Sequence, residues 1–128
     1  MDHQMNSELR QISKLARADK YEEALQRLDA LLTKHPAEPA VWSLRGYTNN
    51  SKGDLLSAVS DLTECIKFRR NEPDDFFTRG RILFKAGRLE EAIVDFTRVL
   101  QLCDDHRSDY YRQAAHFFRA DAYVRLRQ

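Results

Sequence analysis

The chain repeats itself at an interval of 34 residues, and this period constrains its fold more than any other feature. Ala24, Ala58 and Ala92 are each separated by that interval. The same step separates Arg45 from Arg79, Gly46 from Gly80, Gly53 from Gly87, Leu55 from Leu89, and Asp61 from Asp95. A period of this length with small residues at fixed positions is typical of stacked helix-turn-helix units. Such units bury their apolar faces against their neighbours and form extended surfaces for binding other proteins.

Composition sets the class of protein. The chain has 128 residues, which is room for one domain, and 42% hydrophobic with 32% charged residues indicates a folded protein. The net charge of +1 argues against a nucleic-acid-binding surface that extends over the whole chain. The last 22 residues are locally basic, and we interpret them as a solvated helix face. The sequence opens without a signal peptide and has no membrane-length apolar run, so we expect a cytoplasmic protein with no membrane contact. Cys65 and Cys103 are expected to be free thiols.

Proline and glycine mark the predicted helix ends. Pro39 and Pro73 suit the first turn of a helix, where a missing N–H costs nothing. Gly53 and Gly87 favour the left-handed conformation that ends a helix, and Asp54 can cap the next one. The apolar periodicity between these signals predicts helices over 6–18, 21–34, 39–52, 55–69, from 73 to the stop at Gly87, and over 89–102.

The repeat slips before the last helix. Arg119-Ala120 matches Arg45-Gly46 and Arg79-Gly80 but follows Arg79 by 40 residues, so about six residues near 107–112 are additional. We interpret them as an extension of a long final helix over 108–126, capped by Ser108 or Asp105. This half unit would cover the last apolar face, as a terminal cap must in a stacked array.

The chain resembles the tetratricopeptide repeat (TPR) family. The family pattern of a large aromatic followed four places later by a small residue is met by Trp42 with Gly46 and by Phe76 with Gly80. Its second-helix pattern is met by Ala24 with Leu28, Ala58 with Leu62, and Ala92 with Phe96. The resemblance implies an all-α, right-handed α-solenoid of three helix hairpins plus a long C-terminal capping helix, divided as 5–38, 39–72, 73–106 and 107–128.

Paired charges also repeat in step. Arg45 with Asp61, and Arg79 with Asp95, are interpreted as ion pairs between the two helices of one unit. A ligand-facing arginine is the alternative.

The resemblance implies a binding groove on the concave face, lined by the first helix of each unit. An apolar groove edged by arginines would take an extended peptide or an amphipathic helix with some acidic residues. Phe77, Phe84 and Phe117 could instead pack between neighbouring units. The predicted groove residues are Leu9, Arg10, Arg17, Leu44, Tyr47, Asn50, Phe77, Arg81, Phe84, Lys85, Phe117, Asp121 and Arg125.

The sequence argues against one function known in this family, the binding of heat-shock chaperone tails. TPR proteins that hold the acidic C-termini of heat-shock chaperones use lysines, asparagines and an arginine at set positions. Here those positions hold Leu9, Ser13, Leu44, Asp74 and Thr78, so a chaperone-tail adaptor is not expected.

The sequence indicates no catalysis, cofactor or metal. Its isolated glycines form no phosphate-binding loop, and Cys103 near His106 is poor support for a metal site. We therefore expect a non-enzymatic module that binds another protein as an adaptor, a secretion-type chaperone or an immunity-type inhibitor. The alternative is a single-stranded nucleic-acid binder that stacks bases on Tyr47 or Phe77 beside Arg81. A homodimer through the C-terminal helix is a further expectation, because another helix would normally cover Phe117, Tyr123 and Val124.

Overall fold

The computed structural model describes residues 3–106 and 109–128, and within them the regular structure is entirely helical. The helices are α1 (His3–Arg17), α2 (Tyr21–Lys34), α3 (Pro39–Lys52), α4 (Leu55–Phe68), α5 (Pro73–Lys85), α6 (Leu89–His106) and α7 (Arg112–Leu126). They form two compact units: unit 1, Met1–Phe68, contains α1 to α4, and unit 2, Arg69–Gln128, contains α5 to α7. In unit 1, α3 packs mainly on α4, and in unit 2, α6 packs on both α5 and α7.

The helix ends lie where the turn residues predict them. Pro39 and Pro73 open α3 and α5. Gly53 and Gly87 have φ of 97° and 79°, in the left-handed region. Asp19 occupies the same repeat position as these glycines and has φ 63°, a conformation that aspartate tolerates better than most residues. Asp54 accepts a hydrogen bond from the Ser57 N–H at 3.2 Å and so caps α4 as predicted.

Close helix approach explains the repeated glycines. A Cβ added at Gly46 would lie 3.1 Å from Leu62 Cγ, and one added at Gly80 would lie 2.8 Å from Phe96 Cε1. Leu62 and Phe96 are almost completely buried. The helices of each hairpin therefore pack at a distance that a larger residue at these positions would prevent.

The predicted ion pairs within the hairpins are confirmed. Arg45 donates to Asp61 at 2.7 Å and to Asp29 of α2 at 2.9 Å, while Arg79 binds both oxygens of Asp95 at 2.7 and 2.8 Å. Burial raises the pKa of Asp61 and of Asp95 above the usual range for aspartate, and the arginine hydrogen bonds offset part of that rise. These carboxylates hold the hairpins together from inside rather than facing a ligand.

The added residues do not extend the last helix, contrary to the predicted helix over 108–126. Helix α6 continues to His106, so Asp105 lies inside it, and α7 begins only at Arg112 without a side-chain cap. The predicted helix over 109–111 is therefore wrong, while Ser108 lies outside the described residues. The physical reason is packing: buried Leu102 and Cys103 continue the apolar stripe of α6, while Tyr111 packs on Phe77 and donates to Asp74 before α7 begins.

Candidate functional site

The thirteen predicted groove residues are divided between the two units. Leu9, Arg10, Arg17, Leu44, Tyr47 and Asn50 belong to unit 1, and the other seven belong to unit 2. In unit 1, Leu9 and Leu44 are half-buried against the core that contains Ile12, Leu28 and Val41. The remaining unit 1 residues offer a polar surface with one aromatic, because Arg10, Arg17 and Tyr47 are exposed and Asn50 is half-buried.

In unit 2 the predicted residues gather around one phenylalanine ring. The Phe118 ring lies 6.1 Å from Phe77 and 5.7 Å from Phe84, both of α5, measured between ring centroids. On its inner side Phe118 stacks on the fully buried Phe96 of α6 at 5.8 Å. The buried Phe96 ring supports Phe118, and Phe77 and Phe84 in turn pack edge-on against Phe118 at the surface. We call Phe77, Phe84, Phe118, Tyr111, Arg81 and Arg125 the α5–α7 aromatic surface.

Two arginines lie across these rings. The Arg81 guanidinium carbon is 5.1 Å from the Phe118 centroid and 5.9 Å from that of Phe77, and Arg125 is 4.5 Å from Phe84. Arg125 also lies 3.6 Å from the Asp121 carboxylate, a surface ion pair one helical turn away. Arg81 is exposed and has no carboxylate within ion-pair distance among residues 3–106 and 109–128. Its positive charge is therefore available to a ligand, and the rings below hold it in place.

Tyr111 closes one end of this surface and was not predicted from the sequence. Its ring lies 4.9 Å from Phe77, and its hydroxyl donates to Asp74 at 2.6 Å. Burial raises the pKa of the Tyr111 hydroxyl well above its usual value, and the Asp74 carboxylate raises it further. The repeat register could not predict Tyr111 as a site residue, because Tyr111 belongs to the added residues, which have no counterpart in the 34-residue repeat.

The other predicted residues of unit 2 frame this surface. Phe117 is 65% exposed, and its ring meets Phe118 edge-on at 5.4 Å. Lys85 is exposed at the end of α5, and Asp121 is half-buried on α7. Packing between units was the alternative to a groove role for three phenylalanines. Of these, Phe77 and Phe84 are half-buried in the aromatic cluster, and Phe117 is mostly exposed.

No group of three or more histidine, cysteine or acidic side chains in the described parts of the chain could hold a metal ion. The side chain of His106 lies outside those parts. No helix in the described residues is long and apolar enough to cross a bilayer.

Comparison with protein-family models identifies the repeat. Two models, both described as tetratricopeptide repeat, match residues 9–65 and 73–106. Among curated proteins, human tetratricopeptide repeat protein 13 is 28% identical over 106 residues, which is 79% of this chain and 12% of that protein. DnaJ homolog subfamily C member 3 of Rattus norvegicus is 29% identical over 114 residues, which is 89% of this chain and 22% of that protein. The chain thus spans a small part of these relatives.

Solved structures resemble the chain over nearly its whole length. The type III secretion chaperone SycD of Yersinia enterocolitica, in complex with a peptide of the translocator YopD, has a TM-score of 0.85 at 14% identity, covering 98% of this chain and 96% of its own. The first TPR of Spaghetti (RPAP3), bound to the HSP90 peptide SRMEEVD, has a TM-score of 0.82 at 22% identity, covering 100% of this chain and 98% of its own. Likeness at these identities shows the fold alone, and it confirms the predicted all-α solenoid class.

Proposed function

Because the chain belongs to the tetratricopeptide repeat family, we propose that it is a non-enzymatic module that binds a peptide or helix of another protein. The TPR structures that resemble it include two solved with peptides of partner proteins. The observation that carries the proposal for this chain is the α5–α7 aromatic surface, where exposed Arg81 lies over the Phe77 and Phe118 rings. Aromatic and arginine side chains are the residues that most often anchor a protein partner.

The proposed ligand is an acidic segment with apolar side chains. Arg81 and Arg125 supply positive charge, while the exposed parts of the Phe77, Phe84 and Phe118 rings supply apolar area. A carboxylate that reaches Arg81 gains a charge-assisted hydrogen bond, and its neighbouring apolar side chains gain contact with the rings. An adaptor, a secretion-type chaperone and an immunity-type inhibitor would all bind a partner in this way. The proposed location of the protein is the cytoplasm.

A heat-shock chaperone tail does not fit the same surface. In unit 2, Asp74 and Thr78 occupy the positions where family members that bind such tails have clamp residues. Asp74 also accepts the hydrogen bond of the Tyr111 hydroxyl. The negative charge of Asp74 would repel a terminal carboxylate. The ligand is therefore proposed to carry acidic side chains that reach Arg81 rather than a C-terminal carboxylate held at Asp74.

Selection from a phage-displayed random peptide library tests the proposal. We expect the wild type to enrich peptides that combine acidic and apolar residues, and the Arg81→Glu/Arg125→Glu variant to lose them. The matched control is Arg70→Glu/Arg127→Glu, which makes the same change in net charge at exposed positions outside the aromatic surface. A further variant, Arg10→Glu/Arg17→Glu, asks the same question of unit 1.

The outcomes separate the candidate surfaces. Enrichment that survives the Arg81 and Arg125 reversals but is lost with Arg10 and Arg17 would place the ligand on unit 1 and contradict the aromatic surface. Failure to enrich any peptide, together with salt-sensitive binding of a single-stranded RNA oligonucleotide, would support the nucleic-acid alternative.

A further inference from the structure

Helix α7 has the sequence of the first helix of a repeat unit. Arg119-Ala120 occupies the positions of Arg45-Gly46 in α3 and Arg79-Gly80 in α5, and Tyr123 occupies those of Asn49 and Leu83. In these two hairpins, α3–α4 and α5–α6, this face of the first helix is covered by the second helix. Asn49 is buried and donates to Asp61 of α4 at 2.7 Å, and Leu83 is buried in unit 2.

The same face of α7 is uncovered. Ala120 is exposed, Tyr123 is 51% exposed, and Val124 is 54% exposed. Buried Ala115 and Ala122 point to the opposite side of the helix, toward the core of unit 2. The outward face therefore carries an apolar patch, with exposed His116 one turn before it, and nothing in the described residues packs on this patch.

Arg119 indicates what chemistry would cover this face. Arg45 and Arg79 each bind an aspartate that lies 16 residues further along the chain on the covering helix. Arg119 instead donates to the Thr97 hydroxyl at 3.2 Å, and no carboxylate of the described residues lies within ion-pair distance of it. Apolar residues beside an arginine complement an amphipathic helix that carries a carboxylate on its apolar side.

We infer that the outward face of α7 binds an amphipathic helix that carries a carboxylate on its apolar side and lies outside residues 1–128, in the position that α4 takes on α3. A second copy of this chain is the less suitable occupant. Its corresponding helices, α4 and α6, already use Asp61 and Asp95 in their own hairpins, where both are buried. The face is distinct from the α5–α7 aromatic surface, because Phe118 and Arg125 contact α5 from another side of α7.

The chain itself supplies the probe. A synthetic peptide of residues 54–70, held helical by a lactam bridge on its exposed side, reproduces the α4 face that packs on α3. Fluorescence anisotropy would measure its binding to the full chain. We expect saturable binding that weakens about tenfold when Asp61 of the peptide becomes asparagine, and equally when Arg119→Met is made in the protein. Combining both changes should cause no further loss, since they remove the same ion pair.

Ala120→Trp, at an exposed position, should abolish binding by blocking close approach, while Arg70→Met should leave it unchanged, with folding checked by circular dichroism. The inference is overturned if the peptide fails to bind, or binds wild type and Arg119→Met equally. It is also overturned if sedimentation shows a homodimer that Ala120→Trp dissociates, since the occupant would then be a second copy. Loss of peptide selection at Arg81 and Arg125 would leave this result unaffected.

Discussion

At the scale of single residues, the buried ion pairs explain why arginine and aspartate repeat in step along the chain. Asp95 has a side chain only 3% exposed, and Arg79 reaches it with two hydrogen bonds from a position 20% exposed. Taking this carboxylate out of water is costly, so the pair stabilises the hairpin only while both members are present. The sequence predicted this pairing because the two residues repeat in step.

Removal of one member should therefore cost more than removal of both. We expect Asp95→Ala to lower the free energy of unfolding by about 2–4 kcal/mol, because it leaves Arg79 partly buried without its carboxylate. The double variant Arg79→Met/Asp95→Leu should recover most of that loss. Urea unfolding monitored by circular dichroism measures both.

An exposed pair provides the control. Arg88 and Glu91 form a two-point ion pair one turn apart, with side chains 42% and 55% exposed. Glu91→Ala should change the free energy of unfolding by less than about 0.5 kcal/mol. Equal effects of Asp95→Ala and Glu91→Ala would contradict a structural role for the buried pair.

At the scale of helices, the sequence predicts a helix end wherever a proline, a glycine or a capping side chain marks it. Pro39, Gly53, Asp54 and Pro73 each act through their own backbone or side chain, so the boundaries near them need no knowledge of the fold. The start of α7 was not predictable in this way. It depends on Tyr111 packing on Phe77 and bonding to Asp74, a contact across 37 residues that no local pattern encodes.

The Asp54 cap gives a pH-dependent prediction. Hydrogen bonds from the Ser57 side chain and N–H lower the pKa of Asp54 below its usual value. Its contribution is therefore present above the ordinary aspartate pKa and lost as the pH falls through the lowered folded value. At neutral pH we expect Asp54→Ala to cost about 1 kcal/mol.

The comparison with asparagine isolates the charge. Asp54→Asn keeps a side-chain oxygen for the cap but does not titrate, so its stability should lack the acid-side decline due to this residue. Thermal unfolding of wild type, Asp54→Ala and Asp54→Asn between pH 7 and pH 3 would test this. A wild-type advantage over Asp54→Ala that persists unchanged at the lowest pH would refute the assignment.

At the scale of the whole molecule, the 34-residue period predicted stacked helical units, and the residue patterns at Trp42 with Gly46, Phe76 with Gly80 and the repeated alanines predicted the family and its all-α class. The period fixes which residues are small, which are large and which pair across a hairpin, and these determine the repeat fold. The units proposed at 5–38, 39–72 and 73–106, with a terminal segment at 107–128, remain predictions. So does the groove as a set of thirteen residues.

The site was less predictable than the fold for a physical reason. The register places Phe77, Arg81 and Phe84 on one face of α5, but it cannot say how far the rings will sink into the unit. That depends on Phe118 stacking between them and the buried Phe96, and on Tyr111 from the added residues. The arginines over these rings are a product of tertiary packing, which the repeat register alone does not encode.

The most direct measurement maps a bound peptide onto the chain. An acidic peptide selected on the wild type would be titrated into the ¹⁵N-labelled protein while amide chemical shifts are recorded. We expect the largest changes to fall on α5 and α7 around Arg81, Phe118 and Arg125, and we expect Arg81→Glu/Arg125→Glu to abolish them. Changes confined to α1 and α3, unaffected by those substitutions, would contradict the proposed binding surface.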